Sequence, residues 1–208
     1  MRTFIKLVIA VIVIAVGIFG MQKYADDVIC SDYKGFKCRK ISTNSLQKWN
    51  KSANLLLEKN NNQLYIQEDL SGYGGDLVGR EELPSDYIIR FDFQSMARDA
   101  EFMIKILGRN GADNYLAVMK PRDRGTKLEF YRSGVLFGEA VLTPLEPDLF
   151  YQFSLEKIGA SFSLNMDGSE VIHVVDTDPL PGGKPGLGMK GKENKPAGMI
   201  IKNMQFYQ

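Results

Sequence analysis

The residues most suited to chemistry are few. His173, the only histidine, sits within Val171-Ile172-His173-Val174-Val175, where an imidazole can serve as general base. No nucleophile is paired with it along the chain, and a lone His in such a run is more often a packing or solvated residue. Asp176-Thr177-Asp178 offers carboxylate oxygens of the kind Ca²⁺ takes, but a six-to-eight-coordinate ion needs further carboxylates that the neighbouring residues lack. A loop before Pro179 explains these aspartates more simply. Gly186-Leu187-Gly188-Met189-Lys190-Gly191 matches a dinucleotide-binding spacing by letter, yet that chemistry needs a helix to follow, and Lys-Glu-Asn-Lys-Pro-Ala-Gly follows instead. One His and two Cys are too few soft ligands for a zinc site, so neither metal nor cofactor is expected.

The 208 residues suit one globular domain plus short additions. The formal charge is +1, and beyond residue 29 acidic and basic side chains balance, so no polybasic footprint for nucleic acid exists. Residues 7–21 carry no charge. Extended to 4–24, with Lys6 and Lys23 near the ends, they would form a helix of roughly 31 Å, about one bilayer core. The competing reading is a cleaved secretory signal with Arg2 and Lys6 as its basic region. It needs small residues at a cleavage site, and Gly20 has Ile18 two positions before it, while Ala25 has Lys23. The expectation is an uncleaved single-pass anchor at 1–24 in the cytoplasmic (inner) membrane, contacting the bilayer through 4–24.

Lys and Arg flank the span on both sides, so their count does not orient it. Cysteine chemistry gives a direction. Cys30 and Cys38 enclose Ser-Asp-Tyr-Lys-Gly-Phe-Lys, and a bridge across that loop would stabilise by roughly 2–3 kcal/mol in the chain-entropy model and imply an oxidising, extracytoplasmic compartment. The alternative is two free thiols in a juxtamembrane linker, the role expected for residues 25–45.

From residue 46 the pattern becomes short β runs, at 54–58, 63–68, 76–80, 87–94, 101–107, 115–120, 127–132, 135–141, 150–157, 161–166, 170–176, 186–190 and 199–207. In the run 87–94, Tyr87, Ile89, Phe91 and Phe93 alternate with Ile88 and Arg90, and 150–157 repeats the device. Asp167-Gly168 and Asn110-Gly111 are two-residue hairpin signals, and Arg132-Ser133-Gly134 marks another turn. Many short strands at regular spacing predict an all-β sandwich or barrel over 46–208.

Four segments carry a resemblance. They are GGDLVGREELPSDYIIRFDFQ, AEFMIKILGRNGADNYLAVMK, FYQFSLEKIGASFSLNMDGSEVIHVVD and GGKPGLGMKGKENKPAGMIIKNMQFYQ. Together they resemble the concanavalin A-like lectin and glucanase superfamily, nearest its laminin-G-like and 3-keto-disaccharide hydrolase branches. The resemblance spans about residues 45 to 208 and implies a jelly roll of two curved antiparallel sheets, one of them concave and often sugar-binding. It specifies fold better than chemistry. Retaining glucanases of the superfamily carry Glu-x-Asp-x-x-Glu on one strand. The nearest match here, Glu146-Pro147-Asp148-Leu149-Phe150-Tyr151, ends in Tyr151 in place of the last Glu and contains a proline, so glucanase catalysis is not expected.

A sugar platform would draw on exposed aromatic rings and polar neighbours, and Tyr73, Asp76, Arg80, Arg109 and Tyr115 are the candidates. Trp49 reads as a residue packing under the sheet. The leading expectation is a non-catalytic accessory or scaffold subunit that binds a membrane protein complex. A membrane-anchored carbohydrate-binding module is the alternative, and a 3-keto-disaccharide-type hydrolase a third.

Overall fold

The computed structural model describes residues 30–69, 72–108, 113–122, 124–147 and 149–208. All regular elements lie in the compact unit Asp32–Gln208. Among the described residues are fifteen strands and one short helix, arranged as two antiparallel sheets. The eight-stranded sheet runs β13 (Ser169–Val175), β12 (Ser161–Met166), β11 (Tyr151–Ile158), β6 (Tyr87–Ser95), β15 (Gly198–Tyr207), β4 (Gln63–Glu68) and β3 (Leu55–Asn60), with β1 (Cys38–Lys40) also on β15. The seven-stranded sheet runs β10 (Val135–Leu142), β9 (Gly125–Arg132), β8 (Asn114–Arg122), β7 (Glu101–Leu107), β14 (Lys184–Lys190), β5 (Gly75–Val78) and β2 (Asn50–Lys51).

Period-two patterning builds the core. Phe91 on β6 packs on Phe153 of β11, Phe93 on β6 meets Phe102 from the other sheet, and Phe162 on β12 meets Phe130, all nearly inaccessible to solvent. The ring centroids of Phe130 and Phe162 are 5.4 Å apart, and those of Tyr115 and Phe162 4.3 Å. Asp167 and Gly168 both have positive φ, as do Ser133 and Gly134, so the β12–β13 and β9–β10 connections have the mirror-image turns that match strand twist. The Asn110-Gly111 signal lies outside the described residues.

Three elements differ from the sequence expectation. Residues 25–45 read as linker, yet Cys38–Lys40 pairs with Tyr207, Phe206 and Gln205. This strand takes the flank of β15 beyond the part that β4 occupies, where the register of β15 against β6 shifts between Lys202 and Gln205. Helix α1 (Thr43–Gln47) follows, with Ser42 as N-cap accepting the Ser45 N–H at 3.1 Å and Leu46 as its buried residue. Strand β2 is the third element. The segment before β1 also lies over the eight-stranded sheet. Lys34 reaches Glu156 at 2.7 Å, and the Arg90 guanidinium stands 4.7 Å from the Tyr33 ring and 5.4 Å from that of Tyr207. Hence Ile88, Ser154 and Glu156, which alternation turns outward, are buried.

No helix among the described residues is long and apolar enough to cross a membrane. The expected anchor at 4–24 lies outside the described residues. Neither Cys30 nor Cys38 is a free thiol; both are disulfide-bonded.

Candidate functional site

The outward face of the seven-stranded sheet is polar at its centre because Lys127, Glu129 and Tyr131 alternate with the inward Leu128 and Phe130 along β9. Glu129 accepts from Lys120 at 2.6 Å, Lys127 at 2.9 Å and the Tyr131 hydroxyl at 2.5 Å, and Lys127 also binds Glu139 at 2.8 Å. Register places Glu139, Glu129, Val118, Met103, Gly188 and Asp76 in one row across six strands. Burial pushes the Glu129 carboxyl up, but hydrogen bonds from Lys120, Tyr131 and Lys127 outweigh it and bring the pKa down to about 2. The group is therefore a fixed anion with its donors held in place.

Beside this array Lys105 binds Asp76 at 2.6 Å. The pair lies across Gly188, where a Cβ would stand 2.6 Å from Asp76 Oδ1 and 3.2 Å from Lys105 Cε. Glycine at this position lets the two side chains cross close to the sheet.

The five residues singled out from sequence do not form one site. Asp76 belongs to this face. Tyr73 is 80% exposed in the loop before β5. Arg80 lines a separate cleft with Trp49 at the end of β5. Arg109 lies outside the described residues. Tyr115 is a core residue, 1% exposed: it faces inward on β8, its hydroxyl donating to Asp176 at 2.6 Å and accepting the Leu180 N–H at 2.9 Å. Placing it on a sugar platform was an error of facing. Trp49 lies partly buried against Phe206, ring centroids 6.3 Å apart.

The Asp176 carboxylate is taken up by protein donors, namely Tyr115, Arg132 at 2.6 Å and the Asp178 N–H at 3.0 Å. Arg132 supplies the positive charge that a cation would bring. No group of three or more His, Cys, Asp or Glu suited to a metal ion occurs among the described residues.

His173 does have neighbours that the sequence did not reveal, because register brings Ser163 opposite it. Its Nδ1 is 3.1 Å from Ser163 Oγ and 3.3 Å from Glu170 Oε2, and Ser163 donates to Glu170 at 2.6 Å. One ring nitrogen serves both contacts and the serine proton is held by the carboxylate, so this arrangement does not activate the hydroxyl as a nucleophile. Around the glucanase-like stretch, the Tyr151 hydroxyl accepts the Glu146 N–H at 2.8 Å, and the Glu146 carboxylate faces Arg98 at 3.3 Å. Asp148 lies outside the described residues.

The sequence reading missed Lys105, Lys120, Lys127, Glu129 and Tyr131. The alternation Lys127-x-Glu129-x-Tyr131 was the signal that could have found three of them.

Solved structures share this fold. A protein with a galectin-like fold from Bacillus subtilis aligns with a TM-score of 0.66 at 12% identity, covering 78% of this chain and 90% of that one. A β-1,3-1,4-glucanase (lichenase) from a mouse hindgut metagenome gives 0.65 at 12% identity, covering 83% and 99%. The carbohydrate-binding module CBM66 from Bacillus subtilis gives 0.60 at 17% identity, covering 77% and 95%. The chain thus has the concanavalin A-like sandwich fold. No family profile matches the sequence, and no curated protein is similar to it in sequence.

Proposed function

We propose that the sandwich is a carbohydrate-binding module and that the outward face of its seven-stranded sheet holds the glycan. The observation that carries this reading is the interlocked array of Glu129, Lys120, Lys127 and Tyr131 beside the Asp76–Lys105 pair. Sugar hydroxyls need donors and acceptors at fixed positions, and groups that already hold one another lose little freedom on binding. Tyr131, Met103 and Leu116 supply carbon surface for the apolar faces of pyranose rings, as a pocket that binds polar rings requires. Fold likeness to a carbohydrate-binding module and a glucanase supports the class of ligand.

The test is a glycan array followed by calorimetry on the wild type and on Tyr131→Ala and Lys105→Ala. Each variant should weaken binding by about tenfold or more, roughly 1.4 kcal/mol, while remaining folded at the assay temperature. Silence across the array would sink the reading.

In this proposal residues 4–24 anchor the protein in the cytoplasmic membrane and the sandwich is exported. The uncharged run at 7–21 and the two oxidised cysteines support that topology. Fractionation that recovered the intact chain in a soluble pool would refute it.

A second reading, an accessory subunit of a membrane protein complex, draws on Val135, Leu136 and Val141, apolar side chains exposed along β10, the last strand of its sheet. Mild-detergent extraction with size-exclusion chromatography and mass spectrometry separates the two. A stoichiometric partner supports the accessory role, and a lone monomer leaves glycan binding.

A further inference from the structure

We infer that the cleft lined by Trp49 and Arg80 is a second binding site and that its ligand is an acidic sugar residue, a hexuronate whose carboxylate meets Arg80 and Lys48. The class of ring rests on the carbohydrate reading above; the charge, and the separate location, rest on this cleft alone.

The cleft lies where β1, α1 and the end of β5 come together and has a volume of about 410 Å³, within the range of small-molecule sites. Four cationic side chains line it, Arg39, Lys40, Lys48 and Arg80, against one carboxylate, Glu81. Glu81 is engaged by Arg39 at 2.5 Å. The Arg80 and Lys48 side chains meet no carboxylate among the described residues. Since acidic and basic residues nearly balance over the whole chain, this local excess of positive charge does not come from a generally basic surface.

The wall is as informative as the charge. Trp49, Phe206 and Pro185 form its apolar part, and the indole is braced against Phe206 at an interplanar angle of 31°. The floor is also fixed, by the Gly79 N–H donating to the Pro185 carbonyl at 2.7 Å. An indole offers a flat surface for the C–H face of a pyranose, and a guanidinium matches a carboxylate with two parallel hydrogen bonds. A ligand satisfying both features is a ring with an apolar face and a carboxylate at its edge. A neutral sugar would leave the cations unused, and a bare inorganic anion would leave the indole unused.

Trp49 is the only tryptophan, so its selectively excited emission reports on this cleft. The full-length protein in mild detergent is titrated with trisaccharides of galacturonate, glucuronate and mannuronate, with the methyl ester of trigalacturonate, and with inorganic sulfate. At least one uronate trisaccharide should give a saturable change that weakens with added salt, with an ester or sulfate response weaker by about tenfold or more. Arg80→Gln combined with Lys48→Gln should abolish the change, whereas Tyr131→Ala on the sheet face should keep it. An equal response to the ester, or to sulfate alone, would overturn the inference. So would unchanged Trp49 emission with every uronate while calorimetry registers a glycan at the sheet face, and in that case the proposed function stands. Absence of any glycan binding by either readout removes both.

Discussion

The carboxylate of Glu68 accepts the backbone N–H of Gly191 at 2.8 Å across 123 residues of chain. The same group accepts Ala197 N–H at 2.7 Å and Gly74 N–H at 2.6 Å, and it is 1% exposed. One buried acid at the end of β4 therefore holds the loop before β5 and the loop between β14 and β15. Glu68→Gln puts an amide donor against N–H groups that need an acceptor. It should cost on the order of 2–4 kcal/mol, since charged hydrogen bonds are lost and buried donors left unmet. Urea unfolding checks this, and a loss below about 1 kcal/mol would contradict the role.

Two buried tyrosines give a contrasting pair. Tyr115 uses its hydroxyl twice, toward Asp176 and Leu180, and burial together with the bond to Asp176 pushes its pKa up. Tyr87 is equally inaccessible, yet its hydroxyl meets no hydrogen-bond partner among the described residues. Tyr115→Phe should lower stability by about 1–3 kcal/mol, while Tyr87→Phe should be neutral or stabilising by up to about 1 kcal/mol. Thermal unfolding of the two variants side by side decides the matter, and equal losses would show that the hydrogen bonds of the Tyr115 hydroxyl do not set the cost.

Strands that alternate were legible in the sequence: 63–68, 101–107 and 161–166 correspond to β4, β7 and β12 at both ends. The pattern works there because each strand turns one face to a core and the other outward. Cys38-Arg39-Lys40 shows no alternation, and it becomes a strand only because β15 has an open flank; nothing local encodes that. Tyr115 failed for a related reason. Its place at the start of the run 115–120, just after Asp113-Asn114, leaves its facing open, and register on β8 turns it inward beside Phe162. The array around Glu129 combines β8, β9 and β10, so only its β9 members were visible along the chain.

The segment over the eight-stranded sheet makes a prediction of its own. Lys34 is the partner of the buried Glu156, and that hydrogen bond outweighs the opposing effect of burial and, with the carboxylate's charge, raises the lysine's pKa. Lys34→Met would leave a buried carboxylate without its cation, at a cost of about 1–3 kcal/mol. The same variant should loosen residues 33–40, read as faster amide exchange at Cys38–Lys40 than at β11. Unchanged exchange there would mean that pairing with β15 alone holds the strand.

Acid should dismantle the sheet-face array in a defined window. Glu129 has a folded pKa of about 2 against an ordinary 4.5, because its three donors outweigh burial. A depressed carboxylate contributes stability that is fully present above the unfolded pKa and is lost as pH falls through the folded one. Glu129→Gln removes the contribution at every pH, so the wild type should exceed the variant by about 2 kcal/mol near neutrality. That difference should shrink below pH 4.5 and be mostly gone near pH 2. Asp99 and Glu170 are also held low, Asp99 first by the hydrogen bond from Lys195 and Glu170 first by that from Ser163, but both occur in wild type and variant and cancel in the comparison. Urea unfolding across this range is the measurement, and a gap independent of pH would show that the Glu129 carboxylate acts through packing and not through its charge.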